Sequence, residues 1–200
     1  RLAVLVYEWL EGAEWETDTA AVGALLRRQH DVAVDGFREV PTGSEGILEQ
    51  GERLLAGADP DEAAALRAVR PTTRVQPSPR RVLLHTDAGS GNVIVGADGP
   101  RLIDWQCPAL GDAAEDLFCF LSPAFQVLYR HEPLTEAERE ACLDAYDDSG
   151  VRARLRALEP ALTYRFGAYC AMRRVELAET DPAGSARYAR ALALSLDALA

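Results

Sequence analysis

Apolar residues recur along this chain at two different spacings, and each spacing predicts its own type of element. Residues 2–10 form an apolar run of β type that ends at Glu11 and Gly12, which predicts a strand followed by a connector. After residues 17–19, Val22, Leu25 and Leu26 recur at helical spacing up to about residue 30. Two further helices are predicted, one that opens at residues 43–45 and ends near 55, and one that opens at 59–61 and ends near 69.

The middle of the chain has a different pattern. A loop rich in Pro, Thr and Ser covers residues 71–79, and short apolar runs separated by glycine-bearing turns then predict three strands at 82–84, 92–95 and 101–103. Helical spacing returns for the rest of the chain, over residues 112–121, 135–146, a long segment from 151 or 160 to 179, and 185–200. The pattern predicts an α+β fold in which a mostly helical body carries a small β insert.

Composition is that of an ordinary globular domain. The 200 residues are 48% hydrophobic and 26% charged, and a chain of this length buries roughly 70% of its unfolded surface, which excludes disorder and disulfide scaffolds. No run approaches the roughly 20 apolar residues of a spanning helix, and the start lacks a signal pattern, so we expect a soluble, cytoplasmic protein without membrane contact. Four isolated cysteines predict reduced, mostly buried thiols rather than a zinc site.

The balance of charge narrows the class of partner. With 32 acidic against 21 basic residues the formal charge is −11. A negative charge repels polyanions, which excludes nucleic acid as a partner and favours a cationic small molecule. The alternative is that the charge serves solubility alone. The 21 basic residues are all arginine. A mechanism that needs a lysine amine therefore cannot be completed by these 200 residues.

Polar side chains that could act in catalysis or in metal binding are concentrated in the β insert. Asp87 and Asn92 stand five positions apart around a glycine-rich turn, and Asp104 follows the next strand-like run. If the strands pair, the three oxygen-bearing side chains converge. An Asp at a strand end can accept a proton from a hydroxyl, and an amide oxygen with a second carboxylate can hold Mg²⁺, which is the set that phosphoryl transfer needs. The alternative is a hairpin whose Asp87 and Asn92 only satisfy turn amides.

Three linked segments favour the chemical interpretation. LLHTDAGSGNVIV, LIDWQ and GDAAEDL, in this order, resemble the catalytic segment of the aminoglycoside phosphotransferase and choline kinase-like family, relatives of the protein kinases. The opening VYEWLEG resembles the hinge between the two lobes of that family. The resemblance implies that residues 1–12 are a hinge strand and connector, and that residues 13–200 are the large, mostly helical C-terminal lobe of a kinase-like fold. Its catalytic and metal segment would span 81–106, and its helical substrate side 112–200.

The resemblance also implies roles for individual residues. Asp87 would be the catalytic base, and Asn92 and Asp104 would ligate Mg²⁺. The backbone of Glu8, Trp9 and Leu10 would bind the base of ATP or GTP.

Four further residues would support this machinery. His85 would stabilise the loop by hydrogen bonding. Trp105 would pack behind Asp104, with plain core filling as the alternative. Asp112 would cap its helix, and Asp116 would accept hydrogen bonds from amides of the catalytic loop.

The sequence departs from the family pattern at several points. Thr86 stands where the family commonly has glycine, and we expect its β-branch to be tolerated in extended geometry. Ser90 and Gly91 replace a usual proline-glycine pair. The family's smaller lobe, with its lysine, would precede the hinge, so we expect this chain alone to bind nucleotide weakly and to be inactive.

The implied function is transfer of the γ-phosphoryl group of ATP or GTP to a hydroxyl of a small molecule, as in aminoglycoside and choline kinases, and the net charge favours a cationic one. Two alternatives stay open: a non-catalytic lobe that binds a nucleotide or a partner, and a metal-dependent hydrolase using His85, Asp87 and Asp104. Acidic side chains of the later helices could hold the charge of a cationic acceptor, and the favoured alternative is that most of them only belong to solvated helix faces: Glu115, Asp147, Asp148, Glu176 and Glu179.

Overall fold

The computed structural model describes residues 9–129 and 132–200. The strands in this part of the chain are short: β1 (Ala13–Glu14), β2 (Val82–Leu84), β3 (Val93–Gly96), β4 (Gly99–Leu102) and β5 (Ala109–Gly111). Helices supply most of the ordered residues: α1 (Thr19–His30), α2 (Ser44–Leu54), α3 (Pro60–Ala68), α4 (Ala114–Leu121), α5 (Pro123–Tyr129), α6 (Glu136–Tyr146), α7 (Ser149–Leu177) and α8 (Pro182–Leu199). Single 3-10 turns cover Leu55–Gly57 and Ser90–Asn92.

The predicted α+β pattern of a helical body with a small β insert is confirmed. Helix α7 runs through Pro160, so the long helical segment starts before both predicted starts. The sequence pattern missed α5, β1 and β5, which are too short to show periodicity. Most of the strand predicted at 2–10 lies outside the described residues, and Trp9 and Leu10 are not in a strand. Within the described part of the chain, no helix has both the length and the apolar character needed to cross a bilayer.

Two small antiparallel sheets position the polar insert. One has the order β1-β3-β4, with Val93 opposite Leu102, and the other pairs β2 with β5, with Leu84 opposite Ala109. The connection from β2 to β3 is the turn that contains Asp87 and Asn92. The residues that follow β2 therefore lie close to the residues that follow β4.

The helical body buries the apolar faces that the spacing predicts. Helix α7 packs against α2, α4 and α8, and its buried face includes Leu155, Leu158 and Leu162. Helix α1 buries Val22 and Leu26 together with two polar residues of its last turn, Gln29 and His30. As expected, three cysteines are buried free thiols, and Cys107 is exposed.

Helices α1 and α6 approach each other closely at Gly23. A Cβ atom built there would lie 2.1 Å from the carbonyl oxygen of Cys142. Backbone atoms cannot move aside as a flexible side chain can, so only glycine fits at this contact.

Gly23→Ala should lower the free energy of unfolding by about 2 kcal/mol. The alanine gains up to about 1 kcal/mol of helix propensity, but the overpacked contact costs more than that. Urea denaturation measures the difference. The matched control is Gly150→Ala in the first turn of α7, where the new methyl meets only a carboxylate oxygen of Asp148 at 3.2 Å, and stability should change by less than about 1 kcal/mol. Equal stability of the two variants would show that the α1–α6 contact can relax.

Candidate functional site

Backbone pairing ties the two polar segments of the insert together. The amide of Ile103 donates to the carbonyl of Asn92 at 3.0 Å, and Nε2 of His85 donates to the carbonyl of Ile103 at 2.7 Å. Since a carbonyl only accepts, Nε2 carries the proton of the His85 ring. The ring is 1% exposed, and it joins the segment after β2 to the segment after β4.

Asp87 and Asn92 are directly hydrogen-bonded. The side-chain amide of Asn92 donates to the carbonyl oxygen of Asp87 at 2.8 Å and to its Oδ2 at 3.0 Å. Because the amide nitrogen is used in this way, Oδ1 is the atom of Asn92 that can act as a ligand. Burial raises the pKa of Asp87, the hydrogen bond from Asn92 opposes this, and the charge of Asp104 adds to it, so the net shift is upward.

Asp104 lines the same cavity as Asp87. Its backbone is left-handed, with φ 61°, which is a strained conformation for a residue other than glycine. Gln106 donates to its Oδ1 at 2.7 Å. The neighbouring Trp105 is 41% exposed, so the alternative that it simply fills the core is wrong. Its ring instead meets His85 edge-on, with centroids 4.6 Å apart.

The buried carboxylate of Asp116 holds the loop that follows β2 in place. Its Oδ2 accepts from the amide of His85 and its Oδ1 from the amide of Thr86, both at 2.8 Å. These are the loop contacts that the resemblance implied for Asp116.

Two residues of α1, Gln29 and His30, complete this network. Nε2 of Gln29 donates to Oδ2 of Asp116 at 3.0 Å, and Nε2 of His30 lies 3.2 Å from the same oxygen. Nδ1 of His30 lies 2.9 Å from the hydroxyl of Tyr146. Burial alone would raise the pKa of Asp116, but the hydrogen bonds from His30 and from the loop amides outweigh it and lower that pKa. Sequence reasoning missed Gln29 and His30, although their spacing from Val22 and Leu26 places them on the buried face of α1.

Asp112 links the site to α7. Its Oδ1 accepts from the amide of Ala114 at 3.1 Å. The N-cap residue of α4 is Ala113 and not Asp112, so Asp112 contacts the first turn from one position before the predicted cap. Its Oδ2 forms an ion pair with Arg154, which also donates to the carbonyl of Thr42 at 2.7 Å.

Thr86 differs from its expected geometry. The sequence predicted an extended backbone, but φ is 70°, in the left-handed region that favours glycine. This is the physical reason for a glycine at such a position. The side chain offsets part of the strain because its hydroxyl donates to the carbonyl of Cys107 at 2.9 Å.

The predicted nucleotide-binding segment is only partly described. Glu8 lies outside the described residues. Trp9 is 85% exposed, and together with Leu10 it borders a recess of about 570 Å³ beside β3. Binding of a nucleotide base by these residues stays a prediction.

The donor set suits a hard cation. No cluster of three His, Cys, Asp or Glu side chains able to hold a metal occurs among residues 9–129 and 132–200. The predicted ligands, Asn92 and Asp104, instead combine an amide oxygen with a carboxylate near a second carboxylate, Asp87. Mg²⁺ binds through one or two carboxylates, substrate phosphates and retained waters, so this oxygen set fits it.

A cavity of about 400 Å³ opens beside Asp87. Of the five acidic residues predicted to hold an acceptor, only Glu115 lines it. The prediction is wrong for the other four: Asp148 pairs with Arg27 and Arg80, Glu176 pairs with Arg173, and Asp147 and Glu179 also lie outside the cavity lining.

Sequence reasoning missed the partner of Glu115. Arg165 of α7 donates to Oε1 of Glu115 at 2.8 Å and to Oε1 of Gln50 at 3.0 Å. An arginine within the apolar run of α7 was the available signal, since such a residue needs a buried acid.

Asp116→Asn should destabilise the protein by about 3 kcal/mol at pH 7, because it removes a buried charge and turns an N–H₂ group toward N–H donors. The pKa of Asp116 is lowered in the folded state, so its stabilisation is present above the unfolded pKa and is lost as the pH falls through the folded one. Urea denaturation should therefore show the gap to wild type narrowing below about pH 4. The exposed Asp98→Asn control should change stability by less than about 0.5 kcal/mol.

Replacing Thr86 by glycine and by alanine separates backbone strain from the lost hydroxyl. Both variants lose the hydrogen bond to Cys107, but only alanine retains a Cβ at positive φ. Thr86→Gly should therefore be more stable than Thr86→Ala by about 1 kcal/mol in thermal or urea unfolding. At the exposed helical position 157, Ala157→Gly should lose about 1 kcal/mol, the opposite sign. A glycine variant at position 86 less stable than the alanine variant contradicts the strain assignment.

Comparison with solved structures identifies the fold. A choline/ethanolamine kinase family protein from Mesorhizobium loti matches with 16% identity and a TM-score of 0.56, over 90% of this chain and 66% of that one. A spectinomycin phosphotransferase in complex with ADP and spectinomycin matches with 14% identity and a TM-score of 0.59, over 94% and 68%. An ADP-bound aminoglycoside phosphotransferase matches with 15% identity and a TM-score of 0.55, over 90% and 63%. This chain thus spans about two thirds of the length of each structure.

The fold is therefore the α+β, kinase-like fold that the resemblance implied. No curated protein sequence gives a significant match. The model of the phosphotransferase enzyme family matches residues 1–158, a stretch that contains the whole β insert with Asp87, Asn92 and Asp104. The chain belongs to the phosphotransferase enzyme family.

Proposed function

We propose that this chain carries the catalytic loop of a small-molecule kinase, which transfers the γ-phosphoryl group of ATP or GTP to an acceptor hydroxyl. The observation that carries the proposal is the hydrogen bond from Asn92 to Asp87, beside a cavity that Asp104 also lines. It sets a half-buried carboxylate, an amide oxygen and a second carboxylate at the end of two paired strands. Family membership and the ADP bound in two of the similar structures support a nucleotide as the phosphoryl donor.

Asp87 is the proposed base. A hydroxyl in the adjoining cavity can donate to its carboxylate, which accepts the proton as the hydroxyl oxygen bonds to the γ-phosphorus and the bond to the leaving ADP breaks. Burial raises the pKa of Asp87 and so increases its basicity. The hydrogen bond from Asn92 keeps the carboxylate aimed in one direction.

Asn92 and Asp104 would hold Mg²⁺, which when bound neutralises and orients the nucleotide phosphates. The other predicted residues would act through these groups. His85 and Trp105 brace the segment that carries Asp104, while Asp116 fixes the amides before Asp87. Asp112 anchors α4 to α7.

Nucleotide binding is proposed for the start of the chain. Residues 1–12 would serve as the hinge, with backbone groups of Glu8, Trp9 and Leu10 on the nucleotide base, and residues 13–200 as the catalytic lobe. The sequence contains no lysine to contact the phosphates. These 200 residues by themselves would accordingly bind nucleotide weakly and turn over little.

Asp87→Asn should lower turnover by about 10²- to 10⁴-fold in the enzyme that contains this chain, which is the range for loss of a positioned base. Nucleotide affinity should stay within about twofold, because Asp87 acts on the acceptor. Acceptor-dependent ADP release measures turnover, with gentamicin, spectinomycin, choline, ethanolamine and neutral glycosides as acceptors, and calorimetry measures nucleotide affinity.

Asp35→Asn is the control and should match wild type, because Asp35 is exposed and lines neither the recess beside Trp9 nor the cavity beside Asp87. If Asp87→Asn retains near-normal turnover, Asp87 is not the base. If no acceptor supports ADP release and Mg²⁺ does not promote nucleotide binding, the kinase proposal itself fails.

A further inference from the structure

Each carboxylate that lines the cavity beside Asp87 already has a proposed role or an ion-pair partner. Three carboxylates line it: Asp87, Asp104 and Glu115. The first two belong to the proposed phosphoryl chemistry. Glu115 is 5% exposed, and Arg165 neutralises it at 2.8 Å. Among the described lining residues, no further carboxylate faces the cavity to bind a substrate ammonium.

The cavity lining also carries positive charge. Burial alone would lower the pKa of Arg165, but the carboxylate of Glu115 outweighs it and raises that pKa, so the guanidinium stays charged. Arg38 is a second guanidinium of the lining, and it donates to the carbonyl of Cys107 at 2.9 Å. Arg165 and Glu115 neutralise each other, so Arg38 is the guanidinium of the described lining for which no carboxylate partner is found. A cationic acceptor would meet this charge, which is a repulsive element against it.

Aromatic rings of α5 and α7 form the opposite wall. Phe125 and Phe166 stack with centroids 3.7 Å apart and 14° between their planes. Tyr169 lies 6.1 Å from Phe166 and nearly parallel to it, and Tyr188 of α8 meets Tyr169 edge-on. A cation is attracted by the face of a ring and not by its positive edge. Phe125, Phe166 and Tyr169 turn their ring faces toward one another, and Tyr188 meets Tyr169 edge-on. The rings therefore make an apolar wall and not a cage around a central ammonium group.

Two side chains next to this wall can form hydrogen bonds with the molecule that accepts the phosphoryl group. Arg165 engages Oε1 of Glu115, so Oε2 is the oxygen that can accept from a ligand hydroxyl. Gln50 uses its oxygen toward Arg165, so its N–H₂ group is the one that can donate. The cavity volume of about 400 Å³ lies within the range of small-molecule pockets.

We propose that the acceptor is an uncharged hydroxyl compound with an apolar or aromatic body, which packs on the rings of α5, α7 and α8 and hydrogen-bonds to Glu115 and Gln50. The proposal rests on the proposed phosphotransferase function and names the acceptor class of that same site. The negative charge of the whole chain does not decide this class, because the charges inside the cavity act at contact distance.

Matched probes test the charge preference without any substitution. Phenyl β-D-glucoside and its 2-amino-2-deoxy analogue differ by one ammonium group, and 3,3-dimethyl-1-butanol is the uncharged isostere of choline. Binding of each probe to the enzyme is measured by calorimetry or ligand-observed NMR at pH 7 with Mg²⁺ and a non-hydrolysable ATP analogue. The neutral member of each pair should bind at least tenfold more tightly, and gentamicin should bind more weakly than phenyl β-D-glucoside.

Two substitutions locate the binding. Tyr188→Ala, on the half-buried face of α8, should weaken phenyl β-D-glucoside at least fivefold by removing part of the aromatic wall. Phe37→Ala is the aromatic control, since Phe37 is exposed and does not line the cavity, and it should leave the affinity unchanged.

Each result decides the proposal separately from the kinase function. Equal or tighter binding of the charged probes overturns the proposed acceptor class, as does the absence of saturable binding by phenyl β-D-glucoside or equal effects of the two substitutions. Mg²⁺-dependent nucleotide binding and ADP release are scored in their own assays. If those fail while the neutral probe binds in a Tyr188-dependent way, the kinase function is wrong and the chemistry of the cavity stands.

Discussion

The rest of the site depends on the hydrogen bonds that the buried carboxylate of Asp116 accepts. It accepts from the amides of His85 and Thr86 on one side and from Gln29 and His30 of α1 on the other. An unpaired charge in the core would be costly, and these donors together remove that cost. The helical body thereby fixes the backbone at the start of the glycine-rich loop.

This anchoring explains why the loop can tolerate strain. Thr86 and Asp104 both adopt left-handed backbone angles, and each such residue costs of order 1–3 kcal/mol unless its surroundings enforce the conformation. The Asp116 network enforces the first, and the pairing of Ile103 with Asn92 and His85 enforces the second. Thr86 directly precedes Asp87, and Asp104 itself has a left-handed backbone. Both unusual backbone conformations therefore occur at the two carboxylates that line the cavity.

The two walls of the cavity have different origins. The loop wall carries the residues that the family motifs contain. The helical wall is built by Glu115, Arg165 and the rings of α5, α7 and α8, and no motif specifies it. At 14–16% identity, the similarity to the solved structures shows a shared fold and does not specify the acceptor. The proposed neutral acceptor does not conflict with the spectinomycin bound in one of the similar structures, because the similarity to that structure shows the fold alone.

The order of residues along the chain was enough to predict most secondary-structure elements and the three proposed site residues of the β insert. Periodicity located most helices and the paired strands, since amphipathic spacing depends on neighbouring residues, and the linked motifs indicated Asp87, Asn92 and Asp104 as one group. Only the tertiary structure decided which charges meet. Arg165 pairs with Glu115 across 50 residues and His30 with Asp116 across 86, and contacts of that separation leave no periodic trace. The net charge of −11 favoured a cationic acceptor. The fold, however, neutralises Glu115 on the described helical wall with Arg165, because a buried carboxylate requires a partner.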